Sequence, residues 1–251
     1  EVVLVPTRKP AVQAASANGQ RSLRDLWRMS WAVSQQKLDL FFFPSVYTFY
    51  PILNRVPKIV CIHDTIAEFF PHLVFPTWAS QLAWKAKVAV GRWQATTIVT
   101  VSDYSRQCLG RHFGIPLARM RVVNEAGDSI FRPLQDGSGK ELLQQYGLSE
   151  DEPFILYVGG FSPHKNLPLL LDSFRELSRR PALQKLRLVL VGDYTGDAFF
   201  SCYSELREQI EKSCLNDRVV FTGYVLDSEL VVLLNHACVL ALPSHIEGYG
   251  L

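Results

Sequence analysis

Long apolar runs are absent from this sequence. The longest, such as "FFF" at 41–43 and "VLAL" at 239–242, fall far short of the roughly 20 residues that a membrane-spanning helix needs. No basic-then-apolar segment opens the chain, so nothing resembles a signal peptide. Cysteine is scarce: Cys61, Cys108, Cys202, Cys214 and Cys238 form no C-x-x-C pair and no metal-ligand spacing. That excludes a disulfide framework and a zinc ribbon, and leads us to expect reduced, mostly buried thiols of a cytoplasmic protein. The phosphate-binding pattern G-x-x-x-x-G-K-[ST], the dinucleotide pattern G-x-G-x-x-G and the hydrolase elbow G-x-S-x-G are all missing. There is no internal repeat and no low-complexity tract. The first residue is Glu1 rather than Met, and the N-terminus of the protein is expected upstream.

What is present is ordinary globular material, 251 residues at 48% hydrophobic and 20% charged, enough for two modest cores. The net charge of +2 is uneven. Residues 1–134 carry 16 Lys and Arg against 8 Asp and Glu, for +8, and residues 135–251 carry 10 against 16, for −6. A basic half suits an anionic membrane surface, a nucleic acid or an anionic substrate, or simply a complementary second domain.

The second half alternates between short apolar runs and helical periodicity. "FILYV" (154–158), "LRLVLV" (186–191), "RVVFTG" (218–223) and "CVLALP" (238–243) read as strands. Between them lie a helix from Asn166, with Asn166 as its cap and Pro168 in its first turn, a polar helix near 201–213, and a helix over 227–237 capped by Asp227. Apolar strands separated by helices predict a parallel sheet covered on both faces, a doubly wound α/β domain. The first half is similar, with strands expected at 1–6, 38–44, 58–64, 97–103 and 120–126 and helices near 21–36, 77–94 and 103–112. The organisation expected is domain 1–134, a polar linker 135–152 holding a short helix, and domain 153–251.

Open parallel sheets bind ligands beyond the carboxyl ends of their strands. Polar residues and glycines gather there in both halves, which predicts a ligand cleft between two domains. In "YVGGFSPHKNL" (157–167), Gly159 and Gly160 admit a ligand to the backbone. Lys165 stands near the N-terminus of the next helix, where free N–H groups and the helix dipole favour an anion. A plain turn with a solvated lysine would look the same. Glu247 precedes Gly248, Tyr249 and Gly250. Its carboxylate could accept from sugar hydroxyls while the following N–H groups face a phosphate; it could also be a surface acid. His63 ends an apolar strand as a core histidine or as a residue that donates to a substrate oxygen or supports transition-state charge. Ser102 reads as a helix cap rather than a nucleophile.

Together, "ILYVGGFSPHKNLPLLLDSF", "LVLVGD", "RVVFTGYVLDSELVVLLNHACVLALPSHIEGYGL", "CIHDTIAEFFP" and "IVTVSDYSRQCL" resemble the retaining glycosyltransferases of family 4, whose fold is the two-domain GT-B arrangement. The similarity runs from about residue 38 to the end. It implies transfer of a hexose, mannose being one candidate, from a nucleotide-diphosphate sugar to a glycan or lipid-linked acceptor, with retention of anomeric configuration. No metal or other cofactor is expected, since cationic side chains and helix N-termini would hold the diphosphate leaving group. By the same resemblance Gly223, Tyr224 and Val225 would lie beside the base. Glu247 would be the first acid of the family's E-x7-E motif, and His63 would sit near the transferred sugar and the acceptor. Front-face attack, with the leaving phosphate taking the acceptor's proton, needs no carboxylate pair.

Three departures stand out. Gly160 and His164 occupy places where many members carry Arg, so one diphosphate cation is missing or supplied elsewhere. The family's first strand and glycine-rich loop are not seen before Glu1. The second acid of E-x7-E would fall four residues beyond Leu251, so both domains are expected to be incomplete. A non-catalytic nucleotide-binding or scaffolding remnant is the alternative expectation, and a sugar-nucleotide epimerase a weaker one. Segment 77–94 combines Trp78, Trp84 and Trp93 with Lys85, Lys87 and Arg92, either as a helix lying on a membrane or as a buried helix with snorkelling cations. The location expected is the cytoplasm, with peripheral contact at the inner membrane surface, and no nucleic-acid partner.

Overall fold

The computed structural model describes residues 2–8, 22–135, 138–194 and 201–250. Two compact units form: residues 1–125 together with 247–251, and residues 126–246.

In the first unit, α1 (Leu23–Ser34) precedes β1 (Phe41–Phe43) and β2 (Lys58–Cys61). Two single turns follow, α2 (Ile66–Phe69) and α3 (Pro71–Val74), and then the long α4 (Trp78–Gln94). β3 (Thr97–Thr100), α5 (Asp103–Phe113) and β4 (Met120–Val122) come next. The strands pair in parallel in the order β1-β2-β3-β4. Val60, Ile98 and Met120, at most 1% exposed, put the core on this sheet. Residues 2–6, expected as a strand, make none. A strand needs a neighbour for its amides, and this segment has no ladder partner among the described residues. Instead the Arg8 N–H donates to the Asp25 carboxylate of α1 at 3.4 Å, and Val2 and Leu4 stand exposed.

The second unit holds α6 (Lys140–Gln145), β5 (Phe154–Val158), α7 (Leu167–Ser178), β6 (Arg187–Val191), α8 (Tyr203–Lys212), β7 (Val219–Gly223), α9 (Asp227–His236) and β8 (Val239–Leu240). All strands are parallel, in the order β7-β6-β5-β8. Strand periodicity sorts the core into two layers. Ile155, Tyr157, Leu188 and Leu190 pack with Leu167, Leu171 and Phe174 of α7 and Leu206 and Ile210 of α8. Phe154, Leu156, Val189 and Val191 pack with Leu143 of α6 and Leu233 of α9. Helices on both faces make the doubly wound architecture that the alternation predicted.

The units divide differently from the expected domains in two places. The described part of the stretch expected as a linker, and residues 126–134 that were expected in the first domain, belong to the second unit: Leu143 is 1% exposed in its core, the Leu134 N–H donates to Asn235 Oδ1 at 2.8 Å, and the Asn235 amide donates to the Arg132 carbonyl at 3.1 Å. Residues 247–251 belong to the first unit, because the Gly248 carbonyl is held there. Asp227 is not the cap of α9. Leu226 takes that position, and its N–H donates to the Glu229 carboxylate at 2.8 Å. Cys61, Cys108 and Cys202 are buried and Cys214 and Cys238 exposed, all as free thiols. On α4, Trp84 is buried while Trp78 and Trp93 are 78% and 80% exposed, so the helix has one face in the core and tryptophans at both ends of the other.

Candidate active site

In the first unit β2 runs into the core and releases His63 and Asp64 past its carboxyl end. The Asp64 carboxylate accepts the Ile66 N–H at 2.9 Å and fixes the turn into α2. His63 keeps a third of its side chain exposed, with Nε2 3.6 Å from Glu125 Oε1 and 3.8 Å from Cys61 Sγ. Glu125 comes from beyond the carboxyl end of β4, and its carboxylate orients the imidazole. Burial, with the Glu125 charge adding to it, pushes the Cys61 thiol up to about 11. Cys61 is therefore a neutral thiol at pH 7 and no nucleophile.

Gly248 lies against this turn. A Cβ at Gly248 would stand 2.6 Å from the His63 carbonyl oxygen, so only glycine fits. The Gly248 carbonyl accepts from Ser102 Oγ at 2.6 Å and from Ser105 Oγ at 3.0 Å. Ser102 Oγ also accepts the Ser105 N–H at 3.0 Å, capping α5 as its position predicted. The structure thus brings His63 and Gly248 together. Glu247 is half-buried in the same unit, Tyr249 is exposed, and Gly250 turns with φ +90°. Glu125 and Ser105 are additions to the residues singled out from the sequence. Glu125 had a signal, being the acid that follows a strand; the reach of Ser105 to Gly248, 143 residues away, had none.

In the second unit the strand order reverses at β5. Strands β6 and β7 lie to one side of it and β8 to the other, which makes the β5/β8 edge a topological switch point. Two bonds prolong the sheet into the loops: Gly159 N–H donates to Val191 O at 3.0 Å and Gly192 N–H to Gly223 O at 3.1 Å. A Cβ on Gly192 would stand 2.0 Å from the Gly159 carbonyl oxygen, so the loops after β5 and β6 touch backbone to backbone. The Tyr157 hydroxyl donates to the Gly160 carbonyl at 2.6 Å and braces the turn.

Lys165 closes a 3₁₀ turn, Pro163–Lys165, directly before α7. Asn166 does not cap that helix with its side chain. It sits at φ +56°, and its Nδ2 donates to the Pro243 carbonyl at 3.2 Å. The His245 N–H donates to the His164 carbonyl at 3.1 Å. Both bonds pin the Lys165 turn to the loop that follows β8, on the two sides of the switch point. After β7, Gly223 has φ +75°, Tyr224 is 74% exposed and Val225 is buried. Of the sequence-derived set, Gly159, Gly160, Lys165, Gly223, Tyr224 and Val225 thus sit on the loops beyond β5 and β7 in one unit. His63, Glu247, Gly248, Tyr249 and Gly250 belong to the other.

Two α/β units built on parallel sheets, the second with glycine loops and a lysine turn at its switch point, place the chain among the open-sheet α/β proteins. Comparison with known proteins narrows this. The profile for glycosyltransferase family 4 matches residues 2–126 and that for group 1 glycosyl transferases matches residues 139–251. The chain belongs to the family 4 glycosyltransferases, with the GT-B fold. It is 31% identical to the O-antigen chain mannosyltransferase B of Escherichia coli over 89% of this chain and 56% of that protein. It is 27% identical to the mannosylfructose-phosphate synthase of Agrobacterium fabrum over 49% of this chain and 27% of that protein. The chain therefore spans about a quarter to a little over half of the length of these relatives. Among solved structures, Alr3699/HepE of Anabaena with UDP and glucose aligns at TM-score 0.66 and 18% identity, over 88% of this chain and 56% of that one.

Proposed function

We propose that this protein transfers a hexose from a nucleotide-diphosphate sugar to a glycan or lipid-linked acceptor, with retention of configuration. The observation that carries this reading is the switch point of the second unit, where two glycines open the backbone and Lys165 stands at the N-terminus of α7. Free N–H groups, the helix dipole and an ammonium suit a diphosphate leaving group without a metal ion. Gly223, Tyr224 and Val225 border the base, and Glu247 with the N–H groups of Gly248, Tyr249 and Gly250 contacts the donor sugar. His63, oriented by Glu125, donates to the transferred sugar or the acceptor hydroxyl. One relative is named for mannosyl transfer and one structural neighbour was solved with UDP, which supports a hexose on a nucleoside diphosphate.

The test is a product assay across UDP- and GDP-hexoses. Lys165→Ala and Glu247→Ala each lower kcat/KM at least tenfold, about 1.4 kcal/mol. Wild-type turnover in both variants overturns the assignment. We propose also that the outer face of α4, with exposed Trp78, Leu82 and Trp93, meets an anionic membrane surface, consistent with the +8 charge of residues 1–134. Failure to co-sediment with anionic vesicles at low salt removes that contact.

A further inference from the structure

A cavity of about 340 Å³ lies in the first unit among α2, α3, α4 and α5, and uses none of the residues assigned to sugar transfer. Its volume is at the small end of ligand pockets, which run from about 300 to 1,000 Å³. Phe75, Trp84, Val88 and Phe113 give it apolar walls. Two cations line it, Lys85 and Arg92, with His112 on α5 beside them. The Arg92 guanidinium lies 4.1 Å over the Phe113 ring, and its buried Nε makes no hydrogen bond. The one acid in the lining, Glu68, is engaged by the indole rather than by the guanidinium: Trp84 Nε1 donates to its Oε1 at 2.8 Å.

We propose that this cavity binds a small organic oxyanion, a phosphate or carboxylate held by Arg92 and Lys85 on a flat apolar body packed against Phe75, Trp84 and Phe113. Arginine is suited to both parts, since its planar fork pairs with an oxyanion while its face stacks on an aromatic ring. An ion sequestered against apolar walls is held more strongly than one on the open surface. Glu68 sets the pH dependence. Burial pushes its carboxyl up to about 7, the charge of Asp64 adds to this, and the Trp84 bond and Arg92 oppose it. Tyr47 also feels the Glu68 charge, while Lys85 and His112 line the cavity with it. A bound anion favours the protonated, neutral carboxyl, so binding tightens as pH falls from 8 to 6.

The probe is phenyl phosphate, followed by calorimetry and by quenching of tryptophan fluorescence. We expect one saturable site, at least tenfold tighter than inorganic phosphate because the ring contributes. Arg92→Gln weakens it at least tenfold while the protein keeps its wild-type circular dichroism, and Arg92→Lys recovers part of the loss. Glu68→Gln keeps binding, since the amide oxygen still accepts from Trp84, but removes the part of the change between pH 6 and 8 that Glu68 supplies, leaving the part due to the probe's own second ionisation at about pH 6. Lys165→Ala leaves binding unchanged, which separates this site from the diphosphate site. Absence of saturable binding, or binding lost in Lys165→Ala but kept in Arg92→Gln, overturns the proposal.

Discussion

Replacing Gly192 by alanine tests the close approach on which the second unit's loops depend. The added Cβ would stand 2.0 Å from the Gly159 carbonyl oxygen, whereas ordinary contact begins near 3.4 Å. Neither atom is the free end of a side chain, so the β5 and β6 loops must separate. That movement strains the Gly159–Val191 and Gly192–Gly223 hydrogen bonds, each worth about 1 kcal/mol. Overpacking adds about 1–3 kcal/mol, and the φ of +156° adds further strain to a non-glycine residue. The expected loss is about 3–5 kcal/mol, a fall in Tm of about 10 °C. Gly147→Ala is the control: φ is +66° there, but nothing lies within 4 Å of a Cβ, so only backbone strain of about 1–2 kcal/mol applies. Urea unfolding followed by circular dichroism reads both variants, compared at a common slope. If the two lose the same stability within about 0.5 kcal/mol, the backbone contact is not what Gly192 serves.

Two further outcomes follow from the first unit. Ser102→Ala removes the cap of α5 and one tie to Gly248, and lowers stability by about 1 kcal/mol while Ser102→Thr retains it; an unmoved urea midpoint in the alanine variant contradicts the cap. Glu68, pushed up to about 7 in the native state from 4.5, binds more protons folded than unfolded between those values. Stability then falls as pH rises through that window, by about 3 kcal/mol once pH exceeds 7, and Glu68→Gln flattens this component. Parallel stability-against-pH curves for the two proteins would refute it.

The alternation of apolar runs and amphipathic segments was enough to read both parallel-sheet units and the doubly wound second one, because burial on two faces leaves an unbroken apolar strand. Strand ends were not legible: the run at 38–44 yields only Phe41–Phe43, since Phe41 to Phe43 alone find ladder partners on β2. The Ser102 cap was legible because caps are local. Asn166 looked equally like a cap, but its side chain is claimed by Pro243, 77 residues away, and nothing in its neighbourhood encodes that. The His63–Glu125 pairing is hidden for the same reason. Gly192 was visible as a glycine after a strand, yet the reason for it is the carbonyl of Gly159 in another loop. Trp84 and Trp93 look alike in sequence; the indole partner Glu68 and the helical phase decide which one is buried.

The bonds from Asn166 to Pro243 and from His245 to His164 have a consequence in time. A ribosome makes the Lys165 turn about 80 residues before the segment that clamps it, which at about 5–20 residues per second is a delay of several seconds. During that interval β5, α7 and β6 can pack, but the turn lacks both of its long-range restraints. The geometry of the Lys165 turn is thus finished only when β8 docks beside β5, and the emerging chain cannot present it sooner.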